Sequence, residues 1–231
     1  MFTNIDGFAN KKNELIHRIN QNPPHIICIV EVFSKQELFH DYSSFFIDGY
    51  YCLHSLQKNI HRGVVTFVRN DVSAALIPTL NELPFDESVW VEISMNSEKI
   101  VLGNVYRNWS SDLDNHKNLC RLINEARNYA KDRRLVIVGD FNYKDVNWIS
   151  CSCPEHADKH TLSFLQGILI NNLNQHVKDF TRQRGNDQPS TLDLIFTNYA
   201  TDLQNIVLES PLGKKRSCCY KILFARNQSA R

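Results

Sequence analysis

The chain has 231 residues, of which 42% are hydrophobic and 22% charged, and its formal net charge is +1. These values are typical of one large soluble globular domain. They exclude a transmembrane helix, because the best apolar run, residues 25–33, is short and contains Glu31. Residues 1–12 lack a charged-then-apolar leader, so we expect no secretory signal.

The cysteines and the charge distribution limit the compartments and the partners that are compatible with the sequence. The seven cysteines are an odd number, and Cys28 lies in an apolar run, which favours reduced thiols in an intracellular protein over a disulfide framework. Of the 26 basic residues, six lie in residues 210–231, so residues 1–209 hold 20 basic against 25 acidic residues. Overall charge therefore gives no support for nucleic-acid binding, although a local basic stripe or a basic arm stays open.

Strand and helix candidates alternate from the start of the chain. Residues 2–4 end a first strand, and residues 10–20 place Leu15, Ile16 and Ile19 on one helical face. A buried strand then follows a proline turn. The strand over residues 88–94 alternates, with the side chains of Val89, Val91 and Ile93 on one face. These early strands are predicted over residues 23–31, 49–54, 63–70, 88–94 and 99–106.

The second half of the chain continues the same pattern. Asp112 to Lys131 is the longest helix candidate, and Ser110, Ser111 or Asp112 supplies its N-cap. A second helix is predicted at 161–173, and strands at 135–140, 192–198, 203–210 and 218–225. Many strands with few helices predict an α/β fold in which two sheets pack face to face with helices outside.

Polar residues gather where the predicted strands stop. Asp140 and Asn142 are two residues apart, so on an extended backbone both side chains point the same way. Side chains at the ends of several strands converge on one pocket while the strands hold them rigid. The strand-end residues are Asn4, Glu31, Tyr106, Arg107, Asp140, Asn142 and Asp193.

These strand ends indicate a particular chemistry. Carboxylate and amide oxygens suit a hard cation such as Mg²⁺, and the strand ends offer no paired His and Cys set for zinc. Such a site favours phosphate ester hydrolysis, with a carboxylate orienting water. Taken singly, the same residues have plainer interpretations: residues 139–142 form a turn, and Glu31 is a satisfied charge at a strand end.

Eight stretches in order resemble a known family, the endonuclease/exonuclease/phosphatase superfamily, and more narrowly the endonuclease domain of non-LTR (LINE-type) retrotransposons. The resemblance implies a four-layer α/β sandwich and Mg²⁺- or Mn²⁺-dependent cleavage of DNA by a nuclear, monomeric domain that works beside a reverse transcriptase in its parent element. The stretches are residues 2–15, 24–33, 62–70, 103–109, 137–148, 175–184, 190–198 and 210–214.

The resemblance also implies roles for single residues. Asn4 and Glu31 match the metal-side asparagine and glutamate, and Tyr106 matches a tyrosine that contacts the scissile phosphate. Asp140 corresponds to the residue that orients or activates water, and Asn142 to one that positions the phosphate. Asp193 matches the aspartate that holds a catalytic histidine, and Arg107 is expected to meet a phosphate or DNA.

The chain departs from the family after residue 214. The family places Ser-Asp-His there, whereas this chain has Lys215, Arg216 and Ser217, and no histidine follows His176. Loss of general acid–base help costs about 10²–10⁴ in rate, so we expect an impaired nuclease. The resemblance divides the chain into a domain over 1–214 and a basic tail over 215–231, which is either a solvated terminus or the remains of the last strand.

Three alternatives stay open. A non-catalytic DNA-binding remnant would bind DNA without metal-dependent turnover, and a phosphatase of the same superfamily would act on a small substrate. A zinc site is the third, because four residues of types that bind zinc lie close together in the sequence: Cys151, Cys153, His156 and His160.

Overall fold

Twelve strands and four helices form the part of the chain that the computed structural model describes, residues 1–35, 42–54, 62–85, 87–95, 97–182, 188–201, 203–212 and 219–224. In chain order they are β1 (Phe2–Asn4), α1 (Phe8–Gln21), β2 (Ile26–Val30), β3 (Tyr50–His54), β4 (Val64–Arg69), β5 (Ser73–Leu76), α2 (Pro78–Asn81), β6 (Ser88–Met95), β7 (Glu98–Tyr106), α3 (Leu113–Ala130), β8 (Arg134–Asp140), α4 (Lys159–Ile170), β9 (Asn174–Gln175), β10 (Asp193–Thr197), β11 (Leu203–Glu209) and β12 (Cys219–Phe224).

The described strands make two sheets of six. One sheet has the order β11-β12-β1-β2-β4-β3, and the other has the order β5-β6-β7-β8-β10-β9. Two neighbouring pairs are parallel, β1 with β2 and β7 with β8, whereas β10 runs antiparallel to β8. The C-terminal ends of a parallel pair meet at one edge of a sheet, and an antiparallel neighbour begins at that same edge.

Three apolar clusters show the layers. Phe2, Val64, Val91 and Val138 belong to the cluster between the two sheets. The outer face of the β7–β8 sheet packs against residues of α3 and α4, and the outer face of the β1–β2 sheet packs against α1. The arrangement is a four-layer α/β sandwich, as the sequence predicted.

Local sequence signals account for several elements. Asp112 caps α3, because its side chain accepts a hydrogen bond from the backbone N–H of Asn115 at 2.8 Å. In β6, Val89 and Val91 lie in the core between the sheets while Trp90 lies in the helix-side core, which confirms the predicted alternation. None of the helices in the described ranges is long and apolar enough to cross a membrane.

The predicted elements are largely present, with small shifts and a few omissions. The helix predicted at 161–173 is α4, and the strand predicted at 218–225 is β12, which pairs with both β1 and β11. Three short elements, β5, α2 and β9, were not predicted because two to four residues are too few to show a period. The proposed boundary at residue 214 lies outside the described residues.

Candidate active site

The ends of five strands meet at one edge of the sandwich. Asn4 ends β1, Tyr106 ends β7 and Asp140 ends β8, while Glu31 directly follows β2. Tyr106 lies opposite Asp140 in the parallel ladder, and Asp140 lies opposite Asp193 in the antiparallel ladder. The sequence placed Asp193 at the end of a strand, which is wrong: it begins β10, and it reaches the site because β10 runs antiparallel to β8.

Asp140 connects the two sheets. Its Oδ2 atom accepts a hydrogen bond of 2.9 Å from Nδ2 of Asn4, although 136 residues separate the two in the chain. Both residues are buried. The preceding residue must be glycine, because a Cβ on Gly139 would lie 2.0 Å from the carbonyl oxygen of Val105 in the neighbouring strand. Close contact between β7 and β8 therefore places Asp140 beside Tyr106.

The carboxyl groups of Asp140 and Asp193 resist ionisation. Burial raises the pKa of Asp140 well above its usual value, and the nearby negative charges of Asp193 and Glu31 add to the rise. Burial likewise raises the pKa of Asp193 to about 7, although a hydrogen bond with the Thr181 side chain opposes the rise. Burial is the largest cause for both groups, because a charged carboxylate loses its hydration there, and the nearby negative charges add to it.

Glu31 lies beside a buried arginine. Its Oε2 atom is 2.6 Å from a terminal guanidinium nitrogen of Arg62, and the same nitrogen is 2.5 Å from Oδ1 of Asp6. Burial opposes ionisation of Asp6, but the hydrogen bond and charge of Arg62 outweigh it and lower the pKa of Asp6. Asp6 and Arg62 both lie in stretches that carried the family resemblance, yet no strand-end signal marked either of them.

Tyr106 faces the acidic side of the site. Burial raises the pKa of its hydroxyl, and the negative charges of Glu31, Asp140 and Glu87 raise it further, so the phenol stays protonated. Tyr106 also borders a polar cavity of about 360 Å³, whose other walls include Asn108, Ser111 and Asn118. Tyr106 therefore offers a protonated hydroxyl from a buried position in the wall of this cavity.

The loop after β8 departs from the sequence expectation. Asn142 has a φ of 53°, so the chain leaves the extended conformation after Asp140, and the argument that both side chains point the same way is wrong. Instead, Nδ2 of Asn142 donates a 2.8 Å hydrogen bond to the carbonyl oxygen of Arg107. The amide is thus held in place by Arg107, the residue that directly follows β7, and not by the extension of β8.

Arg107 forms hydrogen bonds to the backbone of the same loop. Its guanidinium donates to the carbonyl oxygens of Phe141 and Asn142 at 3.4 and 3.3 Å, and it lies 4.1 Å from the ring centroid of Tyr143. The residue is buried. Through these contacts Arg107 holds the loop after β8 in place. A contact of Arg107 with a phosphate or with DNA stays a prediction.

Thr181 and Arg182 are functional candidates that the sequence analysis missed. Thr181 accepts hydrogen bonds through its hydroxyl from the backbone N–H groups of Leu192 and Asp193, at 2.9 and 3.1 Å. Arg182 donates to Oδ1 of Asn142 at 3.4 Å, and its charge counteracts the raised pKa of both Asp140 and Asp193. Both residues lie in the matching stretch 175–184, which was the only available signal.

The oxygen atoms at this edge suit a hard cation. Among the described residues, Oδ1 of Asn4, Oδ1 of Asp140 and Oδ1 of Asp193 are buried without a hydrogen-bond partner. Such atoms are costly unless a ligand meets them, and Mg²⁺ prefers oxygen ligands of this kind. The residues present fit a divalent cation, with the reservation that the Glu31 carboxylate already pairs with Arg62.

The structure does not form the alternative zinc site. In the described ranges, no three His, Cys, Asp or Glu side chains are grouped so that they could hold a metal ion. This holds at the acidic edge as well, so a cation there would depend on the amide oxygen of Asn4 in addition to carboxylate oxygens. Cys151 is exposed, and the ring of His160 packs 4.7 Å from that of His116. The motif replacement at Lys215, Arg216 and Ser217 lies outside the described residues.

Comparisons with known proteins agree with this architecture. Residues 100–213 match a family model described as endonuclease-reverse transcriptase, whereas no curated protein sequence matches the chain. The fold is similar to the endonuclease domain of TRAS1, a telomere-specific non-LTR retrotransposon, with a TM-score of 0.70, 14% identity and 96% of each chain covered.

Two further solved structures are similar over nearly the whole chain. The 3'-5' exonuclease NExo from Neisseria meningitidis has a TM-score of 0.63, 17% identity, and coverage of 96% of this chain and 98% of its own. An AP endonuclease from Archaeoglobus fulgidus has a TM-score of 0.58, 14% identity and the same coverage. At these identities the similarity shows a shared fold. Together with the family match, it confirms the predicted resemblance and fold class.

Proposed function

We propose that this chain, which has the fold of the endonuclease/exonuclease/phosphatase superfamily and resembles the endonuclease domain of non-LTR retrotransposons, is a metal-dependent phosphodiester hydrolase that nicks DNA with impaired activity. The observation that carries the proposal is the buried hydrogen bond between Asn4 and Asp140. It joins the ends of two sheets at a place where three buried oxygen atoms among the described residues lack a partner. Buried oxygen atoms without partners destabilise a packed core, whereas a bound cation would satisfy them.

The metal-side residues are Asn4 and Glu31. They would hold Mg²⁺, or Mn²⁺ in its place, through oxygen atoms of the kind that these cations prefer. When bound, the ion polarises a phosphoryl oxygen and stabilises the negative charge of the leaving oxygen.

The two aspartates supply the base. Burial raises the pKa of both Asp140 and Asp193, and a carboxylate with a raised pKa is a stronger base towards water than a free carboxylate. Asn4 donates its amide hydrogen to Oδ2 of Asp140, which leaves Oδ1 to meet the water. Asp140 is thus the residue that orients or activates the nucleophile.

The remaining side chains receive the phosphate. Tyr106 offers a protonated hydroxyl, and Arg182 provides positive charge beside Asn142. A guanidinium recognises phosphate oxygens through several N–H donors, so Arg182 joins Asn142 in positioning the phosphate. Arg107 holds the loop that carries Asn142.

Two exposed aromatic side chains near the site favour DNA as the substrate. Trp109 is 74% exposed three residues after Tyr106, and Phe180 is 64% exposed next to Thr181. Exposed aromatic rings beside a phosphate site stack on nucleic-acid bases. A small phosphorylated substrate without bases would not stack on such rings, so the alternative of a small-substrate phosphatase is disfavoured.

The variant Trp109→Ala is expected to bind DNA about tenfold more weakly, because base–aromatic stacking contributes ~1–3 kcal/mol per base. The measurement is fluorescence anisotropy with a labelled DNA oligonucleotide in EDTA, which prevents cleavage. The matched control is Ile170→Ala, an equally exposed apolar residue (77%) beside the C-terminal end of α3. Equal loss of affinity in both variants would contradict stacking at Trp109.

Nicking of supercoiled plasmid tests the proposed activity. We expect slow relaxation in Mg²⁺ that EDTA abolishes. Salt-dependent DNA binding without any metal-dependent turnover would support a non-catalytic remnant instead. Release of phosphate from inositol phosphates without nicking would support the phosphatase.

The cellular setting follows from the proposed activity. A chain that nicks chromosomal DNA for a retrotransposon works in the nucleus, next to a reverse transcriptase of the same element. The proposal gives it DNA as its partner and a monomer as its active form.

A further inference from the structure

A buried arginine lies within the candidate metal site. The side chain of Arg62 is 7% exposed, and one of its terminal nitrogens contacts both carboxylates near the metal side, Glu31 at 2.6 Å and Asp6 at 2.5 Å. The ammonium group of Lys11 lies on the same side, where it donates to the carbonyl oxygen of Ile5 at 2.5 Å. The positive charges of Arg62 and Lys11 therefore already lie beside the carboxylates of Glu31 and Asp6 before any metal ion binds.

Several contacts hold the arginine in this position. Its Nε atom donates to the carbonyl oxygen of Phe33 at 2.9 Å. The backbone N–H groups of Arg62 and Gly63 both donate to Oε1 of the buried Glu87 at 2.7 Å. Gly63 has a φ of 75°, and a Cβ there would lie 2.5 Å from the Phe33 ring. The backbone around Arg62 is thus fixed, and the hydrogen bond to Phe33 directs its side chain into the site.

We propose that Arg62 is a resident counter-cation that competes with the divalent metal ion for Glu31. The guanidinium and the metal ion compete for the Glu31 oxygens, because their positive charges repel at the short distance that sharing one carboxylate would impose. Metal binding therefore requires Arg62 to release Glu31 and to keep Asp6 alone. Arg62 is a positioning residue, and it sets how tightly the metal binds. The inference rests on the proposed function, because it concerns the same metal site.

Removal of the arginine charge is expected to strengthen metal binding. We expect Arg62→Gln to bind Mn²⁺ at least tenfold more tightly than the wild type, measured as loss of the free Mn²⁺ signal in electron paramagnetic resonance. Arg69→Gln is the matched control, since Arg69 forms an ion pair with Asp71 at the other end of β4 and should leave the affinity unchanged.

A double-mutant cycle shows whether the competition takes place at Glu31. Glu31→Gln alone should weaken Mn²⁺ binding, and adding Arg62→Gln to it should restore little, since the carboxylate in dispute is gone. A general charge effect of Arg62 would instead give the same tenfold gain in both backgrounds, which would overturn the proposal.

A second variant and a stability measurement keep the test decisive. If circular dichroism shows that Arg62→Gln does not fold, Arg62→Lys takes its place, because a lysine cannot contact Phe33 and both carboxylates together. We expect Arg62→Lys to bind Mn²⁺ about threefold more tightly than the wild type. An unchanged affinity would overturn the proposal. Mn²⁺ should also raise the melting temperature of the variant more than that of the wild type.

The inference and the proposed function can fail separately. If the wild type binds Mn²⁺ and Arg62→Gln binds it equally or more weakly, the competition is wrong while the metal site stands. If neither the wild type nor any variant binds Mn²⁺ at tens of millimolar, both are wrong.

Discussion

The triple variant Lys215→Ser, Arg216→Asp, Ser217→His is expected to nick supercoiled plasmid about 10²–10⁴-fold faster than the wild type in Mg²⁺, because general acid–base help contributes a factor of this size. The restored histidine would handle a proton or polarise the phosphate, and Asp193 would regain the partner that its matching position implies. The restored aspartate would also remove the repulsion between Arg216 and a nearby cation.

The strand that follows the altered motif in the chain, β12, is described by the structure. Cys219, two residues after Ser217, lies opposite Thr3 in the pairing of β12 with β1, and Thr3 directly precedes Asn4. The strand that follows the altered motif therefore begins at the edge where the candidate residues meet.

Two controls separate recovered chemistry from altered charge. Lys215→Ser with Arg216→Ser removes the positive charges without adding the histidine, and it should gain far less. Asp140→Asn in the triple variant should abolish the gain, because the water-orienting carboxylate is lost. Robust and equal nicking by the wild type and the triple variant would show that the motif replacement does not impair this chain.

The variant Asp193→Asn is expected to stabilise the metal-free fold at pH 8 by a few kcal/mol, and this gain should disappear towards pH 4. Burial raises the pKa of Asp193 from 3.8 to about 7. Between those values the unfolded carboxyl group has lost its proton while the folded one retains it, so the wild type loses stability as the pH rises from about 4 to 7. Each unit of pKa shift corresponds to about 1.4 kcal/mol, and asparagine avoids this cost.

Urea denaturation in EDTA at several pH values measures this difference. Another buried group titrates in the same range: burial, with nearby positive charge, lowers the pKa of His116 to about 4, so protonation of the unfolded chain reduces stability below pH 6.5. Because the wild type and the variant share His116, its effect cancels in their difference. The control Asp71→Asn, at an exposed residue paired with Arg69, should show no gain as the pH rises.

A difference between Asp193→Asn and the wild type that stays constant from pH 4 to pH 8 would contradict the raised pKa. Mg²⁺ provides a further check on the same variant. If the cation binds near the pair of aspartates, it favours the charged form of Asp193, and the wild type should then regain stability at pH 8 relative to the variant.

Much of the fold and part of the site follow from the sequence alone. Hydrophobic periodicity was enough to predict the alternation of Val89, Trp90 and Val91 and the long helix after Asp112, because period and capping depend on neighbours in the chain. The positions of polar residues at strand ends were enough to select Asn4 and Asp140, whose side chains do bond to each other.

The tertiary structure decided which side chains actually meet. Arg62 reaches Glu31 from 31 residues away in the chain because β4 pairs with β2, and Asp193 reaches Asp140 because β10 runs antiparallel to β8. No local pattern encodes such meetings, since they depend on the order and direction of strands within a sheet. The sequence by itself determined the elements and the chemistry of their ends, whereas only the antiparallel pairing of β2 with β4 decided that the acidic edge already contains its own positive charge.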